Sequence, residues 1–195
     1  MIEVENRFLL TEENKKKLVD GAEFIGEETF TDIYYDTTDA SIMKRDMWLR
    51  SRSGRFEMKL PLNEKSVLQR KSNKYKEIES EEEIRKVLEF PPNGNFTKAL
   101  EGRGYLPMLE IETTRQKYKK GEFIIVFDAT DLGFSIGEIE VAVRNESEVD
   151  AASDRLIDFA KKQGVELVST EGKVLECLKI KQPELYRSIR EAGVV

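Results

Sequence analysis

The chain has 195 residues, with 32 Lys and Arg against 38 Asp and Glu, and 39% of its residues are apolar. That length sustains one domain with its own core, and a net charge of −6 argues against a general nucleic-acid surface. It holds no histidine and one cysteine, Cys177, which removes imidazole general bases, Ser/His and Cys/His nucleophiles, intrachain disulfides and nearly every zinc or haem site. Catalysis, if present, rests on carboxylates, Lys, Arg, Tyr and a hard metal ion. No stretch approaches the roughly 18 apolar residues of a membrane span. The first ten residues contain Glu3, Glu5 and Arg7, which a signal-peptide core would not. The expectation is a single cytoplasmic domain over residues 1–195, a monomer with neither membrane nor nucleic-acid partners.

In chain order, residues 1–10 alternate with period two and predict a strand. Thr11 can cap a short helix to about residue 20, which Gly21 ends. Residues 24–36, rich in Phe, Ile, Thr and Tyr, predict a long strand. Residues 47–52 and 56–60 predict a hairpin around Ser53-Gly54. Residues 61–74 form a polar, basic loop read as solvated, and a strand returns at 74–78. Ser80-Glu81-Glu82-Glu83 has the form of a capping box and opens a helix to about residue 89. A second short helix spans 96–100. Three strands follow at 105–119, 122–131 and 134–144, with turns at Lys120-Gly121 and Leu132-Gly133. Helices are predicted at 149–163, from about 170 to 181, and from Pro183 onward. About eight strands joined by hairpins, with five or six helices, predict an antiparallel α+β fold closed into an eight-stranded β-barrel.

The strands carry an unusual face. Glu3, Glu5 and Arg7 share one side of their strand, as do Arg50 and Arg52, Glu57 and Lys59, Tyr75 and Glu77, Glu110 and Glu112, and Glu138 and Glu140. Ordinary outward faces would explain any one of these. Like charges at i, i+2 repel, however, and six such strands call for counter-ions. A barrel with this face turned inward resolves it. Carboxylates on one wall would hold a divalent cation and arginines and lysines on the other a polyanion, while the apolar face would point outward under the helices. Arginine offers planar forks to phosphate oxygens. Lys173 fits the same account: a cation in the first turn of a helix opposes the helix dipole unless an anion lies nearby.

The ordered set Ile2-Glu3-Val4-Glu5-Asn6-Arg7-Phe8, Tyr34-Tyr35-Asp36-Thr37, Trp48-Leu49-Arg50-Ser51-Arg52, Glu57-Met58-Lys59, Tyr75-Lys76-Glu77, Arg115, Gly137-Glu138-Ile139-Glu140 and Gly172-Lys173 resembles the CYTH superfamily, the triphosphate tunnel metalloenzymes. Within it the likeness is to the thiamine triphosphatase family, above all in the Trp-Leu-Arg-x-Arg run and residues 134–141. The resemblance implies Mg²⁺-dependent hydrolysis of thiamine triphosphate to the diphosphate and phosphate. It implies that Glu3, Glu5, Asp128, Glu138 and Glu140 face the metal. Arg7, Tyr35, Trp48, Arg50, Arg52, Lys59, Glu77, Arg115 and Lys173 would bind the substrate, Trp48 by stacking on the cationic thiazolium. Catalysis would rest on Glu3, Glu5, Arg7, Arg50, Arg52 and Glu138. Two departures stand out. The signature lysine is Arg7, which cannot act as a neutral base, and the first of two aspartates expected before the Gly-Glu-x-Glu segment is Val126. Three alternatives stay open: a less selective triphosphatase for inorganic or nucleoside triphosphates, an adenylyl cyclase, and a polyphosphate-binding module without turnover.

Overall fold

The computed structural model describes residues 1–63 and 66–195. Eight strands build one antiparallel sheet: β1 (Ile2–Phe8), β2 (Glu23–Asp36), β3 (Trp48–Arg52), β4 (Arg55–Pro61), β5 (Asn73–Ile78), β6 (Leu106–Lys120), β7 (Phe123–Thr130) and β8 (Ser135–Val143). Their order is β5-β4-β3-β2-β6-β7-β8-β1, and β1 pairs again with β5, so the sheet closes into a barrel. Closure leaves no long free edge. A two-residue strand β9 (Leu167–Val168) continues the β1 edge where β5 stops, pairing with Arg7 and Phe8. Two residues carry no readable period, which is why the sequence gives no sign of it.

Among the described residues, six helices pack around the barrel: α1 (Glu12–Val19), α2 (Glu81–Val87), α3 (Phe96–Gly102), α4 (Val149–Lys162), α5 (Lys173–Lys181) and α6 (Pro183–Glu191). The first four cover the apolar strand face, as the inward turn of the charged face requires. Val4, Phe8, Ile125, Phe127, Ile139 and Val141 pack under Ala152, Leu156 and Ala160 of α4. Each fully enclosed large side chain contributes roughly 1.5–3 kcal/mol, which fixes α4 on the barrel. Leu49, Met58 and Ile78 meet Ile84 of α2 and Phe96 and Leu100 of α3. A different arrangement joins Trp48, Leu109 and Ile111 to Leu175, Leu178, Leu185 and Ile189. Leu109 and Ile111 share the inward parity of Arg115, and Trp48 that of Arg50. So α5 and α6 cover an end of the barrel interior rather than its side.

Local signals were mostly obeyed. The β3–β4 turn has positive φ at both Ser53 (50°) and Gly54 (79°), the combination a two-residue hairpin of type I′ requires. Gly137 lies beneath the Phe8 ring, and a Cβ there would come within 2.1 Å of Phe8 Cζ. The expected capping box at Ser80 is not formed: α2 starts there without a side-chain cap. That device appears instead at Asn145, where the Glu148 carboxylate accepts from the Asn145 backbone N–H at 3.0 Å. The basic loop at 61–74 contains a short 3₁₀ turn at Val67–Gln69, and its Glu64 and Lys65 lie outside the described residues.

Candidate active site

The inward faces enclose a cavity of about 310 Å³. β1 supplies Glu3, Glu5 and Arg7, β3 supplies Trp48, Arg50 and Arg52, and β4 and β5 supply Lys59 and Glu77. Arg115 comes from β6, Glu138 and Glu140 from β8, and Lys173 from the first turn of α5. Period-two alternation delivers this convergence: residues of one parity on eight consecutive strands point at one axis.

Glu110 and Glu112 do not join them. Both are exposed, because Arg115 lies an odd number of residues from Glu112 and the two cannot share a strand face. Tyr35 is also corrected. Its ring packs outside the barrel against Phe56 at 5.6 Å between centroids, while Tyr34, one position earlier, is buried on the cavity wall. Phe30, Asp32 and Tyr34 carry the inward parity of β2, and Tyr35 does not.

The charges interleave rather than segregating into an acidic and a basic wall. Arg7 donates from Nη2 to Glu5 Oε1 at 2.7 Å and from Nε to Glu138 Oε1 at 3.2 Å. Against the opposing effect of burial, these two carboxylates raise the Arg7 pKa further, so the guanidinium is permanently charged. Lys59 Nζ donates to Glu3 Oε1 at 2.5 Å and reaches Glu77 at 3.4 Å. Arg50 Nη2 lies 2.7 Å from Glu57 Oε2, and Arg52 forms a bidentate pair with Asp32, both bonds 2.7 Å. The Arg52 guanidinium also lies 3.8 Å from the Phe30 ring centroid. Interleaving has a physical reason: a buried charge without a partner costs several kcal/mol, so without a ligand the cations must be held by carboxylates. Asp32 and Glu57 are thus structural counter-ions of the arginines. Parity with Tyr34 and Lys59 was the sequence signal for them.

Asp128 departs most from its expected place facing a metal. Its two oxygens accept from Arg115 Nε and Nη2, both at 2.7 Å, and Oδ2 also accepts from Lys173 Nζ at 2.8 Å. Although burial alone would raise it, these cations hold the carboxyl down at about 2. It lies behind Arg115 and does not line the cavity. The mismatch of Lys173 with the helix dipole is therefore offset by Asp128 itself. Burial lowers the Lys173 pKa below the usual lysine range.

Glu140 is the counterpoint. It faces the cavity with no ion pair among the described residues. Burial, then the charges of Glu3 and Glu138, push its carboxyl well above the usual carboxylate range. No three carboxylates converge at ligand distance among the described residues. The donor set nevertheless suits a hard cation: Glu3, Glu5, Glu138 and Glu140, on the paired strands β1 and β8, offer oxygen ligands of the kind Mg²⁺ takes, and Glu140 has no ion pair among the described residues to compete.

Trp48 lines the cavity and is only 7% exposed. Its Nε1 donates to Asp46 Oδ1 at 2.9 Å, and that carboxylate also accepts from Tyr75 Oη at 3.0 Å and from Arg70 Nη2 at 2.6 Å. Asp46 went unnoticed in the sequence. It sits at φ 57°, a backbone state that Asp tolerates better than most residues. The indole on the cavity wall is thereby fixed in orientation.

Comparison with known proteins agrees with this geometry. A family profile described as the CYTH domain matches residues 1–174. Proteins named thiamine-triphosphatase from Macaca fascicularis and Homo sapiens are each 30% identical over 99% of this chain and 91% of their own length. The PH1819 protein of Pyrococcus horikoshii is 26% identical with a TM-score of 0.66, covering 92% of this chain and 99% of that one. A Hippeastrum protein named for adenylyl cyclase, and described as having a dominant triphosphatase activity, shares the fold at 16% identity and a TM-score of 0.53. That match covers 96% of this chain and 95% of the other. No helix among the described residues is long and apolar enough to cross a membrane.

Proposed function

Because this chain belongs to the CYTH domain family, we propose that it hydrolyses thiamine triphosphate to thiamine diphosphate and orthophosphate inside the barrel, with Mg²⁺. The observation that carries the reading is the convergence of Arg7, Arg50, Arg52, Lys59, Arg115 and Lys173 on one cavity whose wall also holds Glu3, Glu5, Glu138 and Glu140 and the only tryptophan. A triphosphate would take over the hydrogen bonds that the arginines now give to Glu57, Asp32 and Asp128, with guanidinium forks on phosphoryl oxygens. Glu3, Glu5, Glu138 and Glu140 would hold the metal, which when bound supplies charge neutralisation at the phosphates. Asp128 serves here as counter-ion to Arg115 and Lys173.

Water attacks the terminal phosphorus in line. The new P–O bond forms as the bond to the bridging oxygen breaks, and thiamine diphosphate leaves with the electron pair. A carboxylate of the glutamate set orients the water and takes its proton. Arg7 cannot take it, because the guanidinium stays charged at every working pH. The protein's share is positioning and charge stabilisation rather than covalent chemistry. Trp48 offers an indole face to the thiazolium cation, worth roughly 0.5–2 kcal/mol.

The test is orthophosphate release by purified protein with Mg²⁺ across thiamine triphosphate, inorganic triphosphate and ATP. The reading expects the highest kcat/KM for thiamine triphosphate. Equal rates on all three would make this a broad triphosphatase, and pyrophosphate release from ATP a cyclase. Binding without turnover would leave a polyphosphate-binding module.

A further inference from the structure

Of the seven Lys and Arg side chains that line the cavity, six are ion-paired to carboxylates. The seventh, Lys117, has no ion pair among the described residues although it is half-buried on the cavity wall. It stands two residues beyond Arg115 on β6, so it points the same way, about 7 Å further along the strand. Its cross-strand neighbours are Gly26 on β2 and Val126 on β7. Gly26 has no side chain to offer. Val126 is fully buried and apolar, and the next residue across the sheet is Glu138, already held by Arg7. An acid at 126 would face Lys117 directly and pair with it, so valine there keeps the ammonium free. Lys117 is thus an unpaired cation on the wall of a cavity lined by cationic, anion-binding groups, and the partner it suits there is a further anionic oxygen.

We propose that Lys117 is a specificity-determining residue of the tunnel, extending the cationic track past Arg115 so that it grips the outermost phosphate of linear polyphosphates longer than three units. The inference rests on the proposal that this cavity binds a triphosphate chain, and adds a length preference to it. Spacing supports the length argument: two residues along β6 separate these backbone positions by more than a single phosphoanhydride link, which gives Lys117 reach to a phosphate beyond the one that Arg115 holds. The ammonium is a point charge with three rotatable donors, suited to a terminal phosphate whose position varies with chain length.

Titration calorimetry of the full-length chain in metal-free buffer, with inorganic triphosphate and tetraphosphate as probes, tests this. The wild type is expected to bind tetraphosphate more tightly. K117A should lose about tenfold for tetraphosphate, the scale of one charge-assisted hydrogen bond, and less than about threefold for triphosphate. K117R should retain the preference, and V126D, by engaging the ammonium, should reduce it as K117A does. Equal losses for both probes, or no loss in K117A, would overturn the proposal while leaving the cavity's general role intact. A wild type that binds neither probe would sink both.

Discussion

Consider replacing Asp128 by asparagine. The side chain keeps its shape but loses the charge that holds Arg115 and Lys173, the cations 2.7 and 2.8 Å from its oxygens. The folded carboxyl titrates at about 2 against an ordinary value of 3.8. That gap is worth roughly 2 kcal/mol at neutral pH, from the usual conversion of pKa shift to free energy. The folded pKa is the depressed one, so this stability is present above pH 3.8 and disappears as pH falls through 2. About half of it should remain at pH 3. In D128N both cations stay buried, so the total loss at pH 7 should be about 2–4 kcal/mol, or a fall in Tm of roughly 5–15 °C for a chain this size. Urea unfolding of both proteins at pH 7, 4 and 3 reads the effect directly, and the difference should narrow toward pH 3. If D128N unfolds with the wild type at every pH yet needs far more Mg²⁺ for turnover, Asp128 is a metal ligand and the counter-ion assignment is wrong.

Other expectations follow from the same contacts. R50A and E138A should each lower kcat/KM for thiamine triphosphate by about 10²–10³, the scale of one lost transition-state contact, while circular dichroism stays native. Gly172 has φ 82°, and a Cβ there would lie 2.6 Å from Arg7 Cζ. G172A should therefore displace Arg7 and cost about 1–3 kcal/mol of stability together with turnover, checked by thermal melts and phosphate release. W48L should lose about tenfold in preference for thiamine triphosphate over inorganic triphosphate, matching a cation–π contact, with turnover of the inorganic substrate within about twofold of wild type.

The barrel was legible because its strands are long and strongly alternating, and a charged face repeated on successive strands has few destinations besides an enclosed cavity. Glu3, Arg50, Arg115 and Glu138 do meet there. What sequence could not supply was the pairing inside. Parity says that Asp128 and Arg115 point inward, and only register, with the two residues directly opposite on β7 and β6, shows that the carboxylate is consumed by the guanidinium. Tyr34 and Tyr35 differ by one residue and hence by a whole face, so a motif containing both could not choose between them. Asp46 and Lys117 escaped notice for opposite reasons. Asp46 acts through tertiary bonds to Trp48, Tyr75 and Arg70 that no spacing encodes, and Lys117 is distinguished by the partner it lacks.

The central claim, that the barrel's cations exist to receive a polyanion, is tested most directly by the stabilisation inorganic triphosphate confers. Ligand at a hundred times its Kd should raise the unfolding free energy of the wild type by about 2.7 kcal/mol. The rise should largely vanish in R50A and in R115A. Undiminished stabilisation in both variants would show that the anion binds elsewhere and that the cavity has another purpose.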